Sequence, residues 1–199
     1  MKKIFLFVVF LCLFSVGTVG AVSLTLETAS TMVEPSNNFD VALVVSGLGN
    51  LGPDSVGDFD IDILYDQGTM AFVGYELGNL LGDVLAGEAI DWSWGDLGGS
   101  IDVAETSLLS DSELDALQPS SFTLATLTFH YLGPDPSTIS IDDSDPDWTY
   151  KVGNAFAAPL LVEVGDSLTI KPVPEPTTIL LLCIGLTGLV GFRKRFKKT

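Results

Sequence analysis

Apolar and polar residues alternate almost one for one through the middle of this chain. In Phe39-Asp40-Val41-Ala42-Leu43-Val44-Val45 every odd position is apolar. Phe59, Ile61, Ile63 and Tyr65 alternate with Asp58, Asp60, Asp62 and Leu64. Ala125, Leu127, Phe129 and Tyr131 do the same with Thr126, Thr128 and His130. Successive side chains of a strand point to opposite faces, so a period of two predicts strands with one buried and one wet face. Leu160, Val162 and Val164 continue the pattern, and Leu168 and Ile170 resume it. Leu24 and Leu26, Ile101 and Val103, and Ile139 and Ile141 mark shorter strands. Glycine, proline and aspartate clusters at Gly47 to Asp54 and Gly133 to Pro136 punctuate them. One stretch predicts a helical turn: Ser110 as cap, Glu113 three residues on, then Leu114 and Leu117 before Pro119. Many strands and few helices predict an all-β fold, an antiparallel β-sandwich of jelly-roll type.

The two ends break this pattern. Lys2 and Lys3 precede an apolar run from Ile4 to Val16, and Val19-Gly20-Ala21 supplies small residues for signal-peptidase cleavage after Ala21. Residues 1–21 are therefore expected to be a signal peptide and the body to be exported. A lipoprotein leader cut at Cys12 is disfavoured because Leu11 precedes it where a small residue is wanted. At the other end, Val173-Pro174-Glu175-Pro176 leads into an apolar run from Thr177 to Phe192. As a helix that run reaches about 24 Å against a hydrocarbon core of roughly 30 Å. Snorkelling of flanking basic side chains helps so short a span. Arg193, Lys194 and Arg195 begin the basic tail 193–199, which should stay cytoplasmic and orient the single transmembrane helix 177–192. Two prolines keep the segment before it extended, in a form that a membrane-embedded protease can read.

Pro174-Glu175-Pro176, the apolar run with Gly185-Leu186 and Gly188-Leu189, and the basic end together resemble the PEP-CTERM sorting signal. The resemblance covers residues 173–199, and a leader, motif, span and basic tail occur in the order that family shows. It implies recognition by an exosortase-type membrane protease of the kind found in Gram-negative exopolysaccharide producers. It implies delivery from the inner membrane to the cell surface or extracellular matrix. It says nothing of what the body does. The expected organisation is a leader over 1–21, a body over 22–171 and a sorting signal over 172–199.

Charge sharpens the picture. The chain carries 26 acidic and 9 basic residues, a formal net charge of −17. Between the leader and the sorting segment only Lys151 and Lys171 are basic. So acidic a body repels phosphate backbones, which excludes nucleic-acid binding, and it stays soluble and attracts cations or cationic partners. Both cysteines, Cys12 and Cys183, lie in the terminal apolar runs. The body therefore has no disulfide framework, thiolate metal site or cysteine nucleophile.

Few residues offer chemistry. His130 is the one histidine, and its parity with Thr126 and Thr128 places it on the polar side of a strand, so no Ser-His-Asp triad is expected. Asp142, Asp143, Asp145 and Asp147 crowd one turn that reads as a solvated acidic loop. The alternative is a calcium site, for which oxygen-rich loops are necessary but not sufficient, and EF-hand spacing is missing. Asp58, Asp60, Asp62 and Asp66 read as a charged face protecting a sheet edge. Carboxylates at glycosidase spacing occur trivially along such a face. Trp92 and Trp94 share parity with Ile90: pointing outward they form an aromatic platform for sugar rings, pointing inward they are core, and the shared isoleucine parity favours core. Trp148 is a third candidate for sugar stacking.

Phe39 to Leu48, Val56 to Asp66, Gly98 to Glu105, and Ser121 to Tyr131 with its Phe-x-Leu-Ala-Thr-Leu-x-Phe run resemble the cohesin sandwich in strand order and hydrophobic pattern. That resemblance spans about residues 22 to 171. Cohesin modules bind dockerin modules and related sandwiches bind carbohydrate, but a fold alone carries neither activity. The expectation is a non-catalytic exported protein, sorted through its C-terminus, whose body binds a surface protein or exopolysaccharide. The alternatives are a dedicated carbohydrate-binding module and, more remotely, an acidic-site hydrolase. No cofactor is expected beyond the calcium alternative.

Overall fold

The computed structural model describes residues 21–49, 55–144 and 151–173. The leader before Ala21, the span 177–192, the basic tail 193–199, Pro174 to Pro176, Asp145, Asp147 and Trp148 lie outside the described residues. Among the described residues no helix is long and apolar enough to cross a membrane.

In chain order the elements are β1 (Val22–Glu27), β2 (Met32–Val33), β3 (Asn38–Ser46), β4 (Asp58–Tyr65), β5 (Met70–Leu77), β6 (Ala89–Asp91) and β7 (Gly95–Asp96). There follow β8 (Ser100–Ser107), α1 (Asp111–Leu117), β9 (Ser121–Tyr131), β10 (Ser137–Ile141), β11 (Val152–Gly153), β12 (Val162–Val164) and β13 (Leu168–Pro172). One sheet runs β12-β1-β3-β9-β5. The other runs β2-β13-β10-β4-β8-β6, with β11 also on β4 and β7 also on β8. The result is a mostly β, two-sheet sandwich. The expected antiparallel pairing holds except at two places. β1 pairs with β12 and β13 with β2 in parallel, so both pairs join the start of the body to its end.

The alternation seen in the sequence builds the core. Phe59, Ile61, Ile63 and Tyr65 of β4 point inward with Ile101 and Val103 of β8, facing Leu24, Val41, Leu43 and Leu127 from the other sheet. Phe129 lies at the junction: its ring centroid is 5.7 Å from Phe39, 5.9 Å from Phe72 and 5.5 Å from Tyr65 on the opposite sheet. A β-bulge where β3 meets β9 resets the pattern between Leu43 and Val44, so Leu124 and Ala125 are both buried. The helix forms as its cap predicts, with the Glu113 carboxylate accepting from the Ser110 amide at 2.8 Å and its hydroxyl at 2.6 Å. Its end is pinned by the Gln118 amide, which exchanges two 2.8 Å hydrogen bonds with the backbone of Val56.

Candidate binding surface and sorting segment

The outer face of the larger sheet gathers the charged and aromatic residues. β4 is not an edge strand, as the aspartate row suggested, but an interior one flanked by β8 and by β10 and β11 in succession. The row therefore guards no edge. It also stops at Asp62, because Leu64 follows on that face and Asp66 caps the next turn, accepting from the Gly68 amide at 2.9 Å. Asp58 is half-buried at the end of the row, with one carboxylate oxygen lacking a hydrogen-bond partner, and burial raises its pKa.

Asp62 lies directly opposite Asp102 across β4 and β8. Carboxylate oxygens of Asp60, Asp62 and Asp102 fall within 4.8 Å of one another. Like charges directly opposed on a sheet destabilise it unless something intervenes. Lys151 intervenes: Nζ sits 3.3 Å from Asp60 Oδ1 and 3.2 Å from Asp62 Oδ2, with its side chain only 12% exposed. Pairing of β11 with β4 brings it there, and its carbonyl accepts the Asp60 amide at 2.9 Å. Burial pushes the Asp102 pKa up; the Trp94 amide pulls it down, Asp60 and Asp62 push it up, and Lys151 lowers it. Replacing Lys151 with methionine should cost about 1–2 kcal/mol of stability in urea melts near neutral pH, and high salt should shrink that loss. A salt-independent loss would assign the lysine a packing role instead.

Trp92 and Trp94 flank this cluster on the edge segment joining β6 to β7, and they are 59% and 81% exposed. The expectation that they enter the core is overturned. Ile90 and Trp92 hold the outer parity, since Ala89 is the residue of β6 that is buried, and a one-residue shift of register against β8 between Asp91 and Gly95 ends that parity before Trp94. Ser93 holds the segment to β8, its hydroxyl accepting the Ala104 amide at 2.9 Å. The Trp92 amide donates to the Ala104 carbonyl at 2.9 Å and the Trp94 amide to Asp102 Oδ1 at 2.7 Å.

One carboxyl escaped the sequence reading. Glu105 continues the inward parity of Ile101 and Val103 and is fully buried, 0% exposed, with neither carboxylate oxygen hydrogen-bonded. Burial, then the facing Asp91 charge, pushes its pKa up to about 7. Asp91 itself accepts the Tyr75 hydroxyl at 2.9 Å, joining the free edges of the two sheets. A surface groove of about 410 Å³ opens beside that pair, and one of about 700 Å³ lies between Met32 and Asp40.

The remaining candidates are separate from this face. His130 lies half-buried on β9 with Nδ1 2.8 Å from Asn38 Oδ1, a partner that gives no base–nucleophile pair. Asp142 Oδ1 accepts from the Ser144 amide at 3.0 Å and its hydroxyl at 2.6 Å, so it caps its own turn, while Asp143 is exposed. Of the sorting residues only Val173 is described, and its amide donates to the Val33 carbonyl at 3.1 Å. The folded body thus extends at least as far as Val173.

The C-terminal segment matches the model of the PEP-CTERM protein-sorting motif over residues 172–195. Such a motif implies an exported, exosortase-processed cell-surface protein. No curated protein matches the chain. Among solved structures, a type II cohesin domain from the cellulosome of Acetivibrio cellulolyticus superposes with a TM-score of 0.62 at 15% identity, over 75% of this chain and 95% of that one. A cohesin module from a Clostridium perfringens family 33 glycoside hydrolase gives 0.56 at 13% identity, over 77% and 97%. A type I cohesin–dockerin complex from Clostridium thermocellum gives 0.56 at 9% identity, over 77% and 99%. At these identities the likeness speaks for the fold alone. The chain carries a PEP-CTERM sorting motif behind a body of cohesin-like fold.

Proposed function

We propose that this is an exported, non-catalytic surface or matrix protein, in which 1–21 is the leader, 22–171 the binding body and 172–199 the signal read by an exosortase-type protease. The observation that carries this reading is the sorting motif over residues 172–195, which begins at the end of the last described strand, whose next residue Val173 is still hydrogen-bonded to β2. Before processing, the 177–192 segment anchors the chain in the inner membrane with Arg193, Lys194 and Arg195 on the cytoplasmic side. The cohesin-like body favours a protein partner, as the dockerin does for the Clostridium thermocellum cohesin. Replacing Glu175 with alanine should leave the chain full-length in the membrane fraction, whereas the native chain runs shorter and reaches the surface. Equal masses for the two proteins in the native host would contradict it.

A second reading, a carbohydrate-binding module acting on exopolysaccharide, is favoured by one finding: Trp92 and Trp94 stand exposed on the edge segment between β6 and β7. Exposed indoles are uncommon, and their flat faces suit sugar rings. A hydrolytic role lacks support, because Asp60 and Asp62 are ion-paired with Lys151 and no base–nucleophile pair occurs among the described residues.

A further inference from the structure

Taking the polysaccharide-binding reading as its basis, we infer that the surface formed by Trp92, Trp94, Asp60, Asp62 and Asp102 takes an amine-bearing glycan, a sugar chain with free protonated amino groups. Three observations carry this. The first is that two exposed tryptophans border the carboxylates: the Trp94 backbone amide donates to Asp102 Oδ1, the Trp92 backbone amide pairs with Ala104 two residues further along β8, and carboxylate oxygens of Asp102, Asp60 and Asp62 lie within 4.8 Å of one another. An ammonium group there gains charge-assisted hydrogen bonds from the carboxylates and a cation–π contact with an indole, the latter about 0.5–2 kcal/mol.

The second observation is charge complementarity. Among the described residues three carboxylates gather around one ammonium, that of Lys151, so the cluster keeps a negative excess. The chain around it carries a net charge of −17, with Lys171 as the one other lysine between the leader and the sorting segment. A uronate-rich or sulfated polymer is repelled by such a field, whereas a cationic one is drawn in. The third is shape. Across the sheet the order is Lys151 beside β11, then Asp60 and Asp62 on β4, Asp102 on β8, and the tryptophans at the edge. At a strand spacing of about 4.8 Å this row extends about 14 Å over a flat face. Neither groove described above is lined by either tryptophan. Protein partners anchor on aromatics seated in desolvated pockets, whereas an extended glycan lies on open rings.

The test uses the full-length chain purified in detergent and titrated calorimetrically with four probes. These are a β-1,4-glucosamine oligomer, its N-acetylated counterpart, an oligouronate and an oligolysine. The glucosamine oligomer should bind, more weakly as salt rises, and at least about tenfold more tightly than the acetylated one. Trp94→Ala and Asp102→Asn should each weaken it by about tenfold or more. The high exposure of Trp94 keeps alanine there from disturbing the core, and asparagine retains the oxygen that accepts the Trp94 amide. Equal binding of the acetylated oligomer overturns the amine requirement and leaves polysaccharide binding standing. Binding of oligolysine with no sugar bound overturns both in favour of a basic protein partner. No sugar bound at all likewise overturns both, and an unchanged affinity in Trp94→Ala removes the site from this face.

Discussion

Raising the pH from about 5 to about 8 should weaken the folded state of the native chain by about 2.5 kcal/mol more than that of a Glu105→Gln variant. Glu105 is fully buried on the inward face of β8, neither oxygen has a hydrogen-bond partner, and its carboxyl is pushed up to about 7 from 4.5. The folded state therefore holds a proton that the unfolded chain releases from about pH 4.5 upward. Between 4.5 and about 7 the unfolded chain binds fewer protons, so stability falls as pH rises through that window and levels off above it. Glutamine keeps the shape and cannot ionise. Asp58 and Asp102, whose pKa values burial also raises, are common to both proteins and cancel in the difference. Urea unfolding across the range reads the effect as a change in midpoint at constant slope. Parallel profiles for the two proteins would show that Glu105 is not held neutral by its surroundings.

Truncating Phe129 to alanine should cost about 3–5 kcal/mol. Its side chain is fully buried, it stacks on Phe39 at 22° between planes, and it meets Phe72 at 67°. Its contact with Tyr65 at 63° and 5.5 Å is the one that crosses between the sheets. Alanine removes that bridge and opens a cavity whose walls are strands held on both sides, so collapse around it is restricted. Leucine refills most of the volume and should cost about 1–2 kcal/mol, short of the aromatic pairing. Thermal or urea unfolding of the two variants checks this. A loss below about 1 kcal/mol for alanine would mean the sheets meet elsewhere.

Much of this body was legible because a strand's period is two and its burial obeys it. Phe59 to Tyr65, Ile101 and Val103, and Leu127 to Tyr131 all fill the core on the parity their sequence shows. The Ser110–Glu113 cap was equally plain, since capping is local. What the alternation could not carry was pairing between distant segments. Nothing near Asp60 and Asp62 says that Lys151, some ninety residues on, will lie between them. Nor does it say that β4 is interior, which overturned the edge-guarding role of the aspartates. The tryptophans leave the core for two reasons: parity orders side chains into two sets without naming which set is inside, which Ala89 settles for Ile90 and Trp92, and an extra residue between Asp91 and Gly95 breaks the alternation before Trp94. Glu105 was readable in principle, as a carboxyl at the third position of the inward Ile101-x-Val103-x-Glu105 series. β5 was missed because its apolar residues are mostly half-buried and Val73 bulges out against β9, breaking the alternation before Gly74.

The account rests on a chain exported at one end and cut at the other. Mass spectrometry of the mature protein from its native host measures both termini at once. The result expected is an N-terminus at Val22, a C-terminus within or beside Pro174 to Pro176, and loss of the basic tail 193–199. An intact chain in the cytosol, beginning at Met1 and still ending at Thr199, would contradict it.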